Sequence, residues 1–162
     1  VLPSIDFRAV PNLLVLRSLA KTAGLAGLRI GFALGHPDVV DRVGRVTGPY
    51  DVNSLAVTAA MAALGDQPYT DAYVAEVLRA RNWLVTEMTR ERASCHVAGG
   101  NYLLLWPRRS SETVEAELRA AGILVRSMAG KPQIDGSLRI SIGTTEQMQL
   151  FWQAYQAIDS EP

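Results

Sequence analysis

Apolar positions fall into blocks along the chain, and their spacing predicts the elements. Within Asn12 to Arg17, Leu13, Leu14, Val15 and Leu16 follow one another without alternation. A strand covered on both faces has that pattern, as a parallel strand in an α/β sheet does. It runs into a Gly-rich stretch from Ala23 to Gly35. Val52 to Leu64, rich in Ala and carrying Leu55, Met61 and Leu64, predicts a buried helix. Asp71 to Arg92 places Val74, Val77, Leu78, Leu84, Val85 and Met88 at the spacing of an amphipathic helix. Tyr102 to Trp106 then predicts a strand, Glu112 to Ala121 a helix with Val114, Leu118 and Ala121 on one face, and Ile123 to Arg126 another strand. Leu138, Ile140 and Ile142 alternate with Arg139 and Ser141, which sends one face into a core and leaves Arg139 on the other. The last helix starts at Thr144, where Gln147 completes a capping box, and carries Met148, Phe151, Tyr155 and Ile158 as a stripe. Trp83, Trp106 and Trp152 sit at core spacing.

The texture changes at Gly65-Asp66-Gln67-Pro68, a Gly/Pro break that divides residues 1–65 from residues 66–162. With 162 residues, 48% of them apolar, the chain can bury one core and part of another. Sixteen Lys and Arg balance sixteen Asp and Glu, so no net field attracts nucleic acid or an anionic membrane. The single cysteine, Cys95, excludes an internal disulfide, and with His36 and His96 it makes no zinc spacing. A reduced, cytoplasmic setting is expected. The start has no basic segment followed by an apolar one, and the run Tyr102 to Trp106 is too short to span a bilayer, so a soluble protein is expected. A first residue other than Met, in what reads as mid-domain, suggests a piece of a longer protein.

The densest chemistry lies in Arg17-Ser18-Leu19-Ala20-Lys21-Thr22-Ala23-Gly24-Leu25-Ala26-Gly27-Leu28-Arg29-Ile30-Gly31. A lysine just past a strand, with a hydroxyl three residues before it and an arginine eight after it, combines an amine with anion-binding groups on a turning backbone. Such an amine is suited to attack a carbonyl, and glycines allow a ligand close approach. The residues by themselves fit better a solvated turn lysine, a surface arginine and ordinary loop glycines. Nucleotide motifs fit less well. Lys21-Thr22 lacks the preceding Gly of a P-loop, and Gly24, Gly27 and Gly31 miss the dinucleotide spacing.

The whole stretch Pro11 to Gly31, PNLLVLRSLAKTAGLAGLRIG, resembles the lysine segment of the fold-type-I pyridoxal-phosphate aminotransferases, and above all the histidinol-phosphate branch. Pro49 to Leu64 (PYDVNSLAVTAAMAAL) and Leu138 to Gln147 (LRISIGTTEQ) are similar to the same family in the same order. The resemblance implies an α/β fold, in which residues 1–65 are the end of the large cofactor-binding domain with its interdomain helix. Residues 66–162 are then the small C-terminal α+β domain. It implies that Lys21 binds pyridoxal 5'-phosphate covalently and shuttles the proton, while Ser18 and Arg29 hold the cofactor phosphate. Ala20 departs from the histidinol-phosphate branch, which has a serine there, and other branches share the alanine.

In that family Arg139 matches the arginine that binds the substrate anion, and Arg126 a second arginine that helps hold the substrate phosphate. The alternative for both is a pair of exposed strand arginines bound to acids such as Asp135. The segment matching Tyr50 to Asn53 lies near the dimer interface and active-site mouth in the family, which implies a homodimer, although Asn53 also suits a helix N-cap. Asn101 matches an active-site asparagine and suits a Gly-rich turn equally well. The implied reaction is amino transfer between a small-molecule amino donor and a 2-oxo acid, histidinol phosphate with 2-oxoglutarate in histidine biosynthesis. The acid expected at the cofactor ring nitrogen lies upstream of this segment in the family, and Asp6 is too near the lysine strand to match it. The chain alone is therefore expected to be inactive. A threonine-phosphate decarboxylase shares these motifs and is the alternative enzyme; a non-catalytic, self-associating fragment is the alternative outside enzymes.

Overall fold

Among the described residues, 4–48 and 51–159 of a computed structural model, the strands form two separate sheets. Each belongs to its own compact unit, one running to Asp71 and the other from Ala72 onward.

In the first unit, β1 (Leu14–Ser18) pairs with β2 (Gly31–Gly35) in antiparallel register, Leu14 opposite Gly35 and Ser18 opposite Gly31. The parallel pairing expected for this strand is therefore not the one formed here. The chain folds straight back on itself because glycine stands where the returning strand comes closest: a Cβ at Gly31 would lie 2.6 Å from the Arg17 carbonyl oxygen. Leu16 is 72% exposed, so the face it stands on is uncovered by the described residues. An unbroken apolar run states that both faces want cover, and it does not supply the cover.

Helix α1 (Pro37–Gly44) starts at a proline in its first turn, where the missing N–H is not needed, and the His36 Nδ1 accepts a hydrogen bond from the Asp38 N–H at 3.3 Å. Helix α2 (Ser54–Gly65) forms where predicted but is not the buried helix expected. Only Ala56 and Ala60 are buried, while Leu55 and Met61 are 68% and 67% exposed. Its N-cap is Asn53, whose Oδ1 accepts from the Ala56 N–H at 2.8 Å.

Helix α3 (Gln67–Arg90) begins four residues before the predicted start and buries Ala80, Leu84 and Met88. Arg92 turns the chain out of it with a positive φ of 55°. The second unit continues with β3 (Ser94–Val97), β4 (Tyr102–Trp106), α4 (Ser111–Ala120), β5 (Arg126–Ser127), β6 (Leu138–Ser141) and α5 (Thr145–Ile158). The four strands lie in the order β3-β4-β6-β5, every neighbouring pair antiparallel. Period-2 alternation gives the sheet a dry face and a wet one. Leu103, Leu105, Leu138 and Ile140 point into a core shared with Leu84 and Met88 of α3, Val114 and Leu118 of α4, and Met148, Phe151 and Tyr155 of α5. Cutting a leucine in such a cluster to alanine costs about 2–5 kcal/mol. The strand expected over Ile123 to Arg126 is shorter and later, only Arg126–Ser127.

Three polar devices set the helices. At the start of α5, the Thr144 hydroxyl accepts from the Gln147 N–H at 3.3 Å while the Gln147 side chain accepts from the Thr144 N–H at 3.0 Å. Glu76 on α3 accepts from the Thr145 N–H at 2.8 Å, and that bond holds its carboxyl below the usual range. At the end of α5, buried Asp159 accepts from the Arg108 and Arg109 N–H groups at 2.9 and 3.1 Å and from the Tyr155 hydroxyl at 2.7 Å.

Candidate active site

The loop from Leu19 to Ile30 joins β1 to β2, and its folding is local. Leu19 is its buried anchor, and the Leu19 carbonyl accepts from the Leu25 N–H at 3.1 Å. The Lys21 carbonyl accepts from the Gly24 N–H at 3.3 Å, with Gly24 at φ +67°, a conformation that favours glycine. A short 3-10 turn at Ala26–Leu28 follows, and Arg29 leaves it at φ 53°. Ser18, Lys21 and Arg29 thus belong to one hairpin, Ser18 opposite Gly31 and Arg29 two residues before it.

All three side chains are exposed. The Ser18 Oγ accepts from the Ala20 N–H at 3.1 Å, which leaves its own proton for a ligand. Among the described residues no acid pairs with Lys21 or Arg29. One hydroxyl, one amine and one guanidinium on a glycine-rich turn make a donor set for a phosphorylated carbonyl compound.

In the second unit, Arg126 of β5 stands directly opposite Arg139 of β6, and Leu104 of β4 stands opposite Arg139 on its other side. Side chains directly opposite in an antiparallel pair leave the same face, with Cβ atoms about 5 Å apart. The Arg139 guanidinium carbon lies 4.3 Å from the centroid of the Tyr102 ring, and its buried Nε has no hydrogen-bond partner. Asp135 is not the partner of either arginine; its Oδ1 accepts from the Gly130 and Gly136 N–H groups at 2.6 and 2.9 Å. Helix α4 fixes the short strand beneath Arg126. The Ser127 N–H donates to Glu115 at 3.1 Å, and the Ser127 and Ser111 hydroxyls are 2.8 Å apart. Two like charges facing one another repel, and an anion bridging them turns that repulsion into attraction.

Two further positions have structural bonds of their own. Asn53 caps α2, and the Asn101 carbonyl accepts from the Ile142 N–H at 2.9 Å. Tyr50 lies outside the described residues. Tyr102 was not singled out from the sequence, although alternation along β4 and β6 places it on the face that carries Arg139.

The model of the aminotransferase class I and II family matches residues 5–154. The chain belongs to this aminotransferase family. It is 36% identical over 152 residues to the histidinol-phosphate aminotransferase of Geotalea uraniireducens, covering 93% of this chain and 44% of that relative. The chain therefore spans less than half the length of that relative and corresponds to its C-terminal portion. Among solved aminotransferases, the histidinol-phosphate aminotransferase of Sinorhizobium meliloti in complex with pyridoxal-5'-phosphate superposes with a TM-score of 0.76 at 23% identity, over 91% of this chain and 41% of that one. The L-threonine-O-3-phosphate decarboxylase of Porphyromonas gingivalis superposes with a TM-score of 0.74 at 22% identity, over 94% of this chain and 49% of that one. These two likenesses establish the fold-type-I aminotransferase architecture. No helix among the described residues is long and apolar enough to cross a membrane.

Proposed function

We propose that this chain is the C-terminal portion of a pyridoxal-phosphate-dependent aminotransferase that moves the amino group of histidinol phosphate to 2-oxoglutarate in histidine biosynthesis. The observation that carries the choice of substrates is the Arg126–Arg139 pair, two arginines directly opposite in the strand register, neither bound by an acid among the described residues. One substrate of this reaction brings a phosphate and the other two carboxylates, each an anion of the kind that guanidinium forks bind in bidentate fashion. The 36% identical relative named for this reaction supports the same reading.

The hairpin residues fit the cofactor. Ser18 and Arg29 would hold its phosphate, the first by its free hydroxyl proton and the second as an unpaired cation. Pyridoxal phosphate, when bound, supplies the electron sink for the reaction. Lys21 would bind the cofactor through Nζ and, released by the incoming amine, take the proton from the donor carbon and return it on the cofactor side. Arg139 would clamp the carboxylate of the 2-oxo acid, and Arg126 would hold the phosphate of the donor. The remaining features of the reading are a cytoplasmic, homodimeric enzyme with residues 1–65 in the large domain and residues 66–162 in the small one.

Product analysis of the enzyme carrying this segment tests the proposal. Histidinol phosphate and 2-oxoglutarate should yield glutamate and a keto product, and Lys21→Ala should abolish turnover. Release of carbon dioxide from threonine phosphate, with no amino transfer, would instead assign the decarboxylase reaction.

A further inference from the structure

We infer that Tyr102 is the positioning residue for Arg139, holding its guanidinium by the face so that its terminal N–H groups stay free for an anion; this rests on the substrate-clamp reading above. The register puts Ser141 opposite Tyr102 and Arg139 opposite Leu104, so Tyr102 and Arg139 are diagonal neighbours on the outer face of the sheet. An aromatic ring spans that diagonal, and here the guanidinium carbon sits 4.3 Å from the ring centroid.

Among the described residues no other polar contact orients Arg139. Its two cross-strand neighbours are Leu104 and Arg126, an apolar residue and a like charge. Among the described residues no carboxylate, carbonyl or hydroxyl accepts from it, and its Nε is buried without a partner. A salt bridge would fix the group by occupying the donors that a substrate carboxylate needs. Stacking fixes it through the π face and leaves the in-plane donors unoccupied. A flexible arginine must lose rotamer freedom when it binds a ligand, and a ring that orders it beforehand removes part of that cost.

The Tyr102 ring lies close to the backbone at Gly100, where an added Cβ would meet its Cε1 at 3.2 Å. The phenol oxygen plays no part in this account, which makes the role one of ring geometry. Phenylalanine should therefore serve, and an aliphatic residue should not.

The experiment is steady-state kinetics of the enzyme carrying this segment, for wild type, Tyr102→Phe, Tyr102→Leu and Arg139→Ala, with 2-oxoglutarate varied and thermal unfolding recorded for each. Cation–π contacts of this kind correspond to about 3- to 10-fold in binding. Tyr102→Leu should raise the 2-oxoglutarate KM by that factor with kcat within about 2-fold of wild type, and Tyr102→Phe should restore the wild-type KM. A structural role alone would lower the unfolding temperature without that KM-against-kcat split. Should Tyr102→Leu fail to fold, Tyr102→Met, which fills the space without a π face, takes its place. An unchanged KM in the aliphatic variant, alongside a large rise in Arg139→Ala, would overturn the positioning role and leave the clamp standing. An unchanged KM in Arg139→Ala would overturn the clamp reading itself.

Discussion

Arg126 and Arg139 face each other across β5 and β6 with no carboxylate of the described chain between them. Like charges in that arrangement weaken an antiparallel pair by up to about 1 kcal/mol. In buffer without added anion, Arg126→Ala should therefore unfold at the same temperature as wild type or slightly above it. Inorganic phosphate should raise the unfolding temperature of wild type and raise that of Arg126→Ala less, because a ligand stabilises only the state that binds it. Equal shifts in both proteins, followed by scanning calorimetry, would show that the pair is not the anion site.

Asp159 is the acceptor for two backbone N–H groups and the Tyr155 hydroxyl, and it is only 6% exposed. Burial, together with this carboxylate, pushes the Tyr155 phenol far above its ordinary range, so it remains a donor throughout the pH range of a folded protein. Asp159→Ala leaves three donors to find other partners and should lower stability by about 2–4 kcal/mol in denaturant unfolding. A loss below about 0.5 kcal/mol would show that the loop at Arg108 and Arg109 is held by other contacts.

Glu76 gives a pH signature. Its carboxyl is held below the ordinary value of 4.5 by the Thr145 N–H. A depressed carboxyl contributes stability that is present above the unfolded-state value and is lost as the pH falls through the folded-state value. Wild type should therefore lose more stability than Glu76→Gln when the pH is lowered from neutral into and below the carboxylate range. Parallel pH profiles of unfolding temperature for the two proteins would contradict this.

Much of this organisation could be read before the structure, and what could not has physical causes. The capping box of Thr144 and Gln147 and the alternation from Leu138 to Ile142 are local codes, and both appear as read. Strand β2 was missed because Gly31 and Gly35 make it look like a turn, while those glycines are what let the two strands approach. Helix α1 and strand β3 were missed for want of periodicity: Pro37–Gly44 buries no residue, and Ser94–Val97 is short and partly exposed. The burial expected of Leu16, Leu55 and Met61 depends on partners that an apolar pattern does not name. The roles proposed for Lys21, Ser18 and Arg29 rest on a family motif, whereas the role inferred for Tyr102 depends on cross-strand register, which appears only in the folded chain.

Gly31 offers a backbone test of the hairpin. Gly31→Ala places a methyl 2.6 Å from the Arg17 carbonyl oxygen, a contact that only a backbone shift relieves. Cofactor affinity of the enzyme, followed by absorbance titration with pyridoxal phosphate, should fall by about tenfold or more, because Ser18 and Arg29 flank the displaced strand ends. Unchanged affinity would detach the phosphate site from this hairpin.

In the proposed function Lys21 carries the cofactor, and the chain supplies its own control, since its other lysine is Lys131. The enzyme carrying this segment is incubated with pyridoxal phosphate, reduced with borohydride to make the lysine bond permanent, digested, and mapped by mass spectrometry. A stoichiometric pyridoxyl adduct is expected on the peptide containing Lys21 and none on the peptide containing Lys131. An unmodified Lys21, or equal labelling of the two lysines, would contradict it.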